Sequence, residues 1–354
     1  MGLPSIEIIF KSLGASAIER SSKGTVALIL RDTKTTENVI TIESIKEIPK
    51  ELNESNKEQI ELAFKGGYRI PQKIMYYSIA AEESIEKALE KLEAEVWDYL
   101  AVPFIEENEI DKVATWIKGL RQDNIKVQAV LPNCKADSEG IINITTEKFI
   151  TKTKEYSTKD YCSRFAGIFA GTPLNISATY FVLQELRDIY PHLRKSDANK
   201  KIDSGELIVI NDGEKCKIGR AVNSLTTTSE GKGEEYKKVK IVSTMDLIDR
   251  DIRRTFENDY IGKYDNSYDN QVLFSIGVNG YLETLEDDKI LAKRQNSTEI
   301  NDNKLKAYFK NKGIDVEKLN KQDLEELGSG SNVFLKGKCR PLDAMEDLSL
   351  EFEM

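Results

Sequence analysis

The sequence predicts a multi-domain protein of mixed α/β class whose two ends are extended strand arms. Three observations predict it. Strand and helix patterns alternate between residues 25 and 131, a tight hairpin followed by two amphipathic helices occupies residues 206 to 285, and apolar strand-like runs stand near both termini. With 354 residues the chain has room for two or three domains and a sizeable core.

Leu3 to Phe10 carries Ile6, Ile8, Ile9 and Phe10 and precedes a small, polar stretch from Gly14 to Gly24, so it reads as a strand on a flexible tether. Thr25 to Arg31 (TVALILR) is a short β-branched apolar run bounded by Gly24 and Asp32, as a buried strand would be. Apolar residues then recur every three or four positions over Asn56 to Phe64 and Glu82 to Glu95, the mark of helices with one buried face. Tyr99 to Phe104 and Lys126 to Leu131 read as strands flanking a helix over Glu109 to Leu120.

The most apolar stretch begins near Tyr161. Its Gly167 and Gly171 invite a nucleotide-binding or membrane reading, but no phosphate-cradling Lys-Ser/Thr follows and Pro173 interrupts the run, so a closely packed helix is expected. Glu206 to Asn211, the turn Asp212-Gly213 and Lys217 to Val222 form a hairpin, because Asp-Gly tolerates the positive φ angles of a tight turn. Two strands alone are marginal in water, so this hairpin needs partners.

Thr244 to Tyr260 places Met245, Ile248, Ile252 and Phe256 on one helical stripe, with Asp246/Arg250 and Asp249/Arg253 spaced for i,i+4 pairing. A second helix is expected over Asn270 to Leu285. Gly328 to Ser331 is flexible by composition, and the tail beyond it holds two extended candidates, from Val333 and at Leu348 to Phe352, where Leu348, Leu350 and Phe352 alternate with Ser349 and Glu351.

Composition narrows the function. A net charge of -9 argues against a general nucleic-acid binder, since phosphate neutralisation needs a basic face. No apolar run reaches membrane-spanning length, and Met1 to Phe10 lacks the basic start of a secretory signal. Cys134, Cys162, Cys216 and Cys339 lie far apart with no Cys-x-x-Cys pair, which predicts reduced thiols and no zinc site.

His192 is the single histidine, and at Tyr190-Pro191-His192 it reads as a structural residue at a helix end. Asp246, Asp249 and Asp251 are the best carboxylate cluster for hydrolysis, but arginines one turn away explain the first two as surface pairs. No catalytic residue, cofactor or metal is expected.

In the second half, TMDLIDRDIRRTFENDYIGKYDNSYDNQVLF followed by VNGYLETLEDD resembles the tail sheath proteins of contractile bacteriophages and of related phage-tail-like bacteriocins. GELIVINDGEKCKIGRAVNSLTT and the closing PLDAMEDLSLEFEM are similar to further parts of that family in the same order. The opening GLPSIEIIFKSLGASAIERSSKGTVALI is similar to sheath proteins of Gram-positive prophages.

The resemblance implies an N-terminal linking arm (1–20), an outer, more variable α/β domain (21–158), an inner core domain with hairpin and tube-facing helices (159–330) and a C-terminal linking arm (331–354). It implies a structural subunit, not an enzyme, assembled in a bacterial host cytoplasm into a virion tail or released particle. Its partners would be other sheath subunits, six per ring in a helical stack, with the tail tube, baseplate and tail terminator, and neither nucleic acid nor membrane insertion. The arm strands at Ile6, Ile8, Phe10, Leu348, Leu350 and Phe352 would augment a neighbour's hairpin at Leu207, Val209, Ile218, Arg220 and Val222, while Arg250, Arg253 and Arg254 would face the tube. A non-contractile tail or adaptor protein, and a hydrolase centred on Asp246 and Asp249, are the alternatives.

Overall fold

The computed structural model describes residues 17–21, 23–316, 319, 323–324 and 327–353. The chain divides into two compact units, one formed by Ser21–Arg250 with Pro341–Met354, the other by Met1–Arg20 with Asp251–Arg340.

The first unit is built on a sheet of β1 (Thr25–Arg31), β2 (Ile40–Ile42), β3 (Lys73–Ile79), β4 (Tyr99–Ala101), β5 (Gln128–Pro132) and β6 (Ile141–Ile144), in the spatial order β2-β3-β1-β4-β5-β6. All pairings are parallel except β2 on β3, with Val26 opposite both Ile74 and Tyr99. Because side chains alternate along a strand, Val26, Leu28 and Leu30 enter one apolar cluster and Ala27 and Ile29 the other. The first cluster is covered by α1 (Glu54–Phe64) and α4 (Thr158–Ala170), the second by α2 (Glu86–Glu93) and α3 (Glu107–Gln122). Both faces are dry, which is why β1 and β3 are continuous apolar runs.

Helices α1 and α4 touch through glycine. A Cβ on Gly167 would stand 2.1 Å from the Ala63 carbonyl oxygen, and one on Gly171 1.9 Å from that of Arg69. The Gly-x-x-x-Gly spacing is thus a packing device, as its lack of a phosphate signature led us to expect. Asn53 caps α1 through the amide of Asn56, and Ser157 and Asp160 form a capping box on α4.

On the α4 side, β7 (Lys148–Thr151), β8 (Glu155–Ser157) and β9 (Leu186–Tyr190) form an antiparallel sheet in the order β8-β7-β9, and its Phe149 lies 4.5 Å from Tyr161. This corrects the reading of Tyr190-Pro191-His192 as a helix end. The segment is the end of strand β9, where Ile189 pairs with Phe149, and Pro191 lacks the N–H needed to continue the ladder. Helix α5 (Lys195–Asp203), the hairpin strands β10 (Val209–Asn211) and β11 (Cys216–Ile218), and the long helix α6 (Val239–Thr255) follow.

The second unit contains a π-helical turn at Phe256–Tyr260, α7 (Tyr268–Asp287), β12 (Ser297–Ile300), α8 (Asp302–Asn311) and β13 (Leu335–Lys338). β12 and β13 pair antiparallel, and Leu305, Phe309, Val316 and Leu324 make a small core.

The two compact units divide at Arg250/Asp251, and α4, which supplies apolar cover to the β1 sheet, lies in the same unit as that sheet. The stretch 328–331 is no loose tether: Ser329 is buried, accepts from the Asn266 and Gln271 amides and donates to the Asn332 carbonyl at 2.7 Å. Beyond it, β13 is paired with β12 of its own chain, so the terminal segment outside the strand ladder begins after Pro341.

Candidate functional site

Residues 342–353 belong to no helix or strand, yet their first half is firmly attached. The Lys240 ammonium donates to the Leu342 carbonyl, and Lys238 pairs with Asp343 and, at 3.0 Å, with Glu346. Glu346 also accepts from the Thr179 hydroxyl at 2.6 Å, and Arg220 grips both carboxylate oxygens of Asp347 at 2.8 and 2.9 Å. Burial works against the charge on Lys238, but Asp343 and Glu346 outweigh it and its pKa rises. The Asp347 contact likewise raises that of Arg220.

Past this root the side chains are uncovered among the described residues. Leu348, Leu350 and Phe352 are 87%, 64% and 81% exposed, three apolar side chains on one face of an alternating segment. Ile6, Ile8 and Phe10 lie outside the described residues.

The hairpin expected to accept such an arm is shorter than its sequence pattern suggested. Val209 pairs with Ile218 as expected, but Leu207 bridges to Ile144, Val222 bridges to Lys238, and Arg220 serves the tail root. Its outer edges are also in use: the Ile218 carbonyl accepts from Tyr180, its amide donates to Phe181, and the Cys216 carbonyl accepts from Leu183. On the other side Val209 donates to the Thr146 hydroxyl and Leu207 to the Asn143 carbonyl.

A second two-stranded sheet is more open. The ladder between β12 and β13 uses the backbone of residues 334, 336 and 338, which leaves the amides and carbonyls of Leu335, Gly337 and Cys339 pointing outward. Among the described residues these groups have no backbone partner. The opposite edge is closed by α7, whose Asn279 and Ser275 side chains hold the Thr298 amide and carbonyl. Nothing in the local sequence of Leu335–Lys338 distinguishes it from an arm strand.

Of the arginines expected to face a tube, Arg250 is turned inward. It donates to Asp98 at 2.8 Å, while Asp98 also accepts from the Gly24 and Thr25 amides. Arg253 and Arg254 are exposed, and Arg254 reaches the Glu19 carbonyl at 3.5 Å. Asp246 is held by both terminal nitrogens of Arg121 at 2.9 Å, and Asp251 is buried and accepts from the Tyr281 hydroxyl at 2.7 Å. These two carboxylates are engaged in fixing α6. His192 is exposed and bonds Asp188 at 2.7 Å. Among the described residues no group of acidic, histidine and cysteine side chains could hold a metal, and no helix is long and apolar enough to cross a membrane.

A doubly covered sheet, a smaller unit with an open-edged strand pair, and an anchored terminal segment that ends in bare apolar residues define a structural protein of the assembling kind. Residues 80–224 match the family described as phage tail sheath protein central domain, and residues 231–354 match the phage tail sheath C-terminal domain. The chain belongs to the phage tail sheath protein family. It is 36% identical over its full length to the tail sheath protein of Clostridium phage phiCD119, covering 99% of that protein.

Its fold is similar to that of the anti-feeding prophage helical sheath in the contracted state, with a TM-score of 0.75, 13% identity and coverage of 100% of this chain and 99% of the other. It is also similar to the sheath tail protein of Desulfitobacterium hafniense, with a TM-score of 0.69, 17% identity and coverage of 83% and 93%.

Proposed function

We propose that this chain is the structural subunit of a contractile tail sheath, polymerising as stacked hexameric rings around a tail tube and shortening to drive that tube through a target envelope. Assembly in a host cytoplasm, on a baseplate and up to a terminator, belongs to the same reading, as does a tube-facing role for Arg253 and Arg254. The observation that carries it is the terminal segment: rooted at Leu342–Asp347, then leaving with Leu348, Leu350 and Phe352 uncovered. A monomer gains nothing from exposing such a strand, whereas a neighbouring copy can bury it.

The acceptor that the geometry favours is the β13 edge and not the hairpin β10–β11. Laid beside β13, the arm matches it on both faces. Leu348, Leu350 and Phe352 share a face with Leu335, Gly337 and Cys339, and Glu351 and Glu353 share the other with Lys336 and Lys338. Outward backbone groups at 335, 337 and 339 would complete the ladder.

The natural cysteines separate the two acceptors. A Leu350→Cys chain, oxidised after assembly, is expected to give a disulfide between copies to Cys339 if β13 accepts the arm and none if the hairpin does, since Cys216 there is buried. Neighbouring positions 348 and 352 cover alternative registers. Electron micrographs of the purified chain should show tubes or stacked rings, lost on deletion of 348–354. Discrete small oligomers would mark an adaptor, and assembly indifferent to the deletion would reject the strand-addition reading.

A further inference from the structure

The two faces of the larger unit carry matching surfaces. Between α2 and α3 lies an open groove of about 570 Å³. Its floor is apolar, made by buried Leu89 and half-buried Trp116, and its walls carry Glu86, Glu90, Glu93 and Asp111. Lys112 pairs with Glu86 at 2.7 Å, and Glu93 accepts from the Trp116 indole at 2.6 Å. Four carboxylates therefore face one lysine, and Glu90 and Asp111 have no cationic partner among the described residues.

The complement lies on β9 and the start of α5. Arg187, Arg194 and Lys195 are exposed and without an ion pair among the described residues, and they flank Tyr190, which is 53% exposed. Strand β9 contributes Leu186 and Ile189 to the cluster under α1 and α4, while the groove is roofed over the cluster under α2 and α3. The ridge and the groove are thus on opposite sides of one sheet, so a copy cannot fill its own groove.

We propose that the Arg187–Lys195 ridge of one copy docks in the α2–α3 groove of the next, with Tyr190 over the Leu89 and Trp116 floor and the cations against Glu90 and Asp111. This rests on the sheath reading, which supplies the second copy. A contact between unlike surfaces propagates from copy to copy and closes into rings or continues as a helix, unlike a self-complementary patch, which stops at a dimer. Exposed ion pairs are individually weak, so the contact is weak singly and effective when repeated, and salt should weaken it.

Two full-length variants test it, Arg194→Glu/Lys195→Glu on the ridge and Glu90→Lys/Asp111→Lys in the groove, all at exposed positions. Circular dichroism and melting establish that each folds. Each variant alone presents like charges across the joint and is expected to lose polymer in sedimentation and electron micrographs. A 1:1 mixture is expected to recover it by alternating, as is a single chain carrying all four changes. Two variants that each polymerise like wild type would overturn the proposal, as would variants that fail and are not rescued by mixing, which would assign the groove to another protein. Wild-type chain that forms no polymer would remove the sheath reading first and this interface with it.

Discussion

Gly167→Ala and Gly119→Ala are the same chemical change in two helices of one unit, and the structure gives them opposite signs. In an open helical position the change is favourable by about 0.5–1 kcal/mol, since alanine restricts the unfolded chain and favours helix. Gly119 in α3 is such a position, with nothing within 4 Å of an added Cβ. At Gly167 the new methyl would stand 2.1 Å from the Ala63 carbonyl oxygen and 2.8 Å from its carbon, against an ordinary contact of 3.4 Å or more. Helices α1 and α4 must part by roughly 1.3 Å, the difference between 3.4 and 2.1 Å, and the atoms in the way are backbone, which cannot rotate aside.

Overpacking of this kind costs about 1–3 kcal/mol and sometimes more, so the helical gain at Gly167 is outweighed. A net loss of about 2 kcal/mol in a unit of this size lowers the melting temperature by about 4–8 °C, whereas Gly119→Ala should raise it by about 1–4 °C. Calorimetry on the full chain, at a concentration where it sediments as a monomer, reads both. A Gly167→Ala chain that melts at or above wild type would refute the close approach of α1 and α4.

Two other perturbations probe how α6 is fixed. Asp246→Ala should leave Arg121, whose side chain is 9% exposed, with only Glu139 at 3.5 Å and the Val127 carbonyl, and cost about 1–3 kcal/mol in urea unfolding. The paired change Arg121→Met/Asp246→Leu should cost much less, and equal losses from the two variants would reject the pair as the cause. Lys23, half-buried, donates to the Ser243 carbonyl beside Asp98 and Asp246, and loss of water around its ammonium pushes its pKa down to about 8. The folded state then holds fewer protons than the unfolded one, whose lysine titrates near 10.5, so stability should rise from about pH 8 toward pH 10.5 and be lacking below pH 8. Lys23→Met should flatten that rise in pH-dependent unfolding, and an unchanged slope would exclude Lys23 as its source.

The sequence was most readable where one constraint acted alone. Thr25–Arg31 is a strand over its whole expected length because its apolar, β-branched run is bounded by Gly24 and Asp32. Asp212-Gly213 marked the hairpin turn because a positive φ is needed at Gly213, which stands at 96°. Lys73–Ile79 carries no strand signature: it is buried on both faces and so shows no alternation, with Tyr76 and Tyr77 in opposite clusters.

Partner choice was the harder part. Asp246 and Arg250 are spaced to pair along a helix, but each has a closer claim from a distant residue, Arg121 and Asp98. No local pattern reports that β4 and α3 place those groups there. The tail was legible in its apolar alternation and illegible in its root, since Lys238, Lys240 and Arg220 are ordinary surface cations until the fold gathers them.

The root and the tip of the arm are held by different physics, and that difference bears on how such a joint could move. The root depends on side chains, and its outermost acid, Asp347, is 81% exposed, so its ion pair with Arg220 is screened and weak. The tip, on the strand-addition reading, would be held by successive backbone hydrogen bonds and buried leucine and phenylalanine side chains, each side chain worth about 1.5–3 kcal/mol when fully covered. A load along the arm therefore yields first at Asp347 and later at Glu346, whose side chain is only 5% exposed and meets Lys238, Thr179 and Arg220 together. The ladder would yield last. Copies could then shift by paying out or taking up the residues around Asp347 while the strand stays paired, so that connectivity survives a large rearrangement of otherwise rigid bodies.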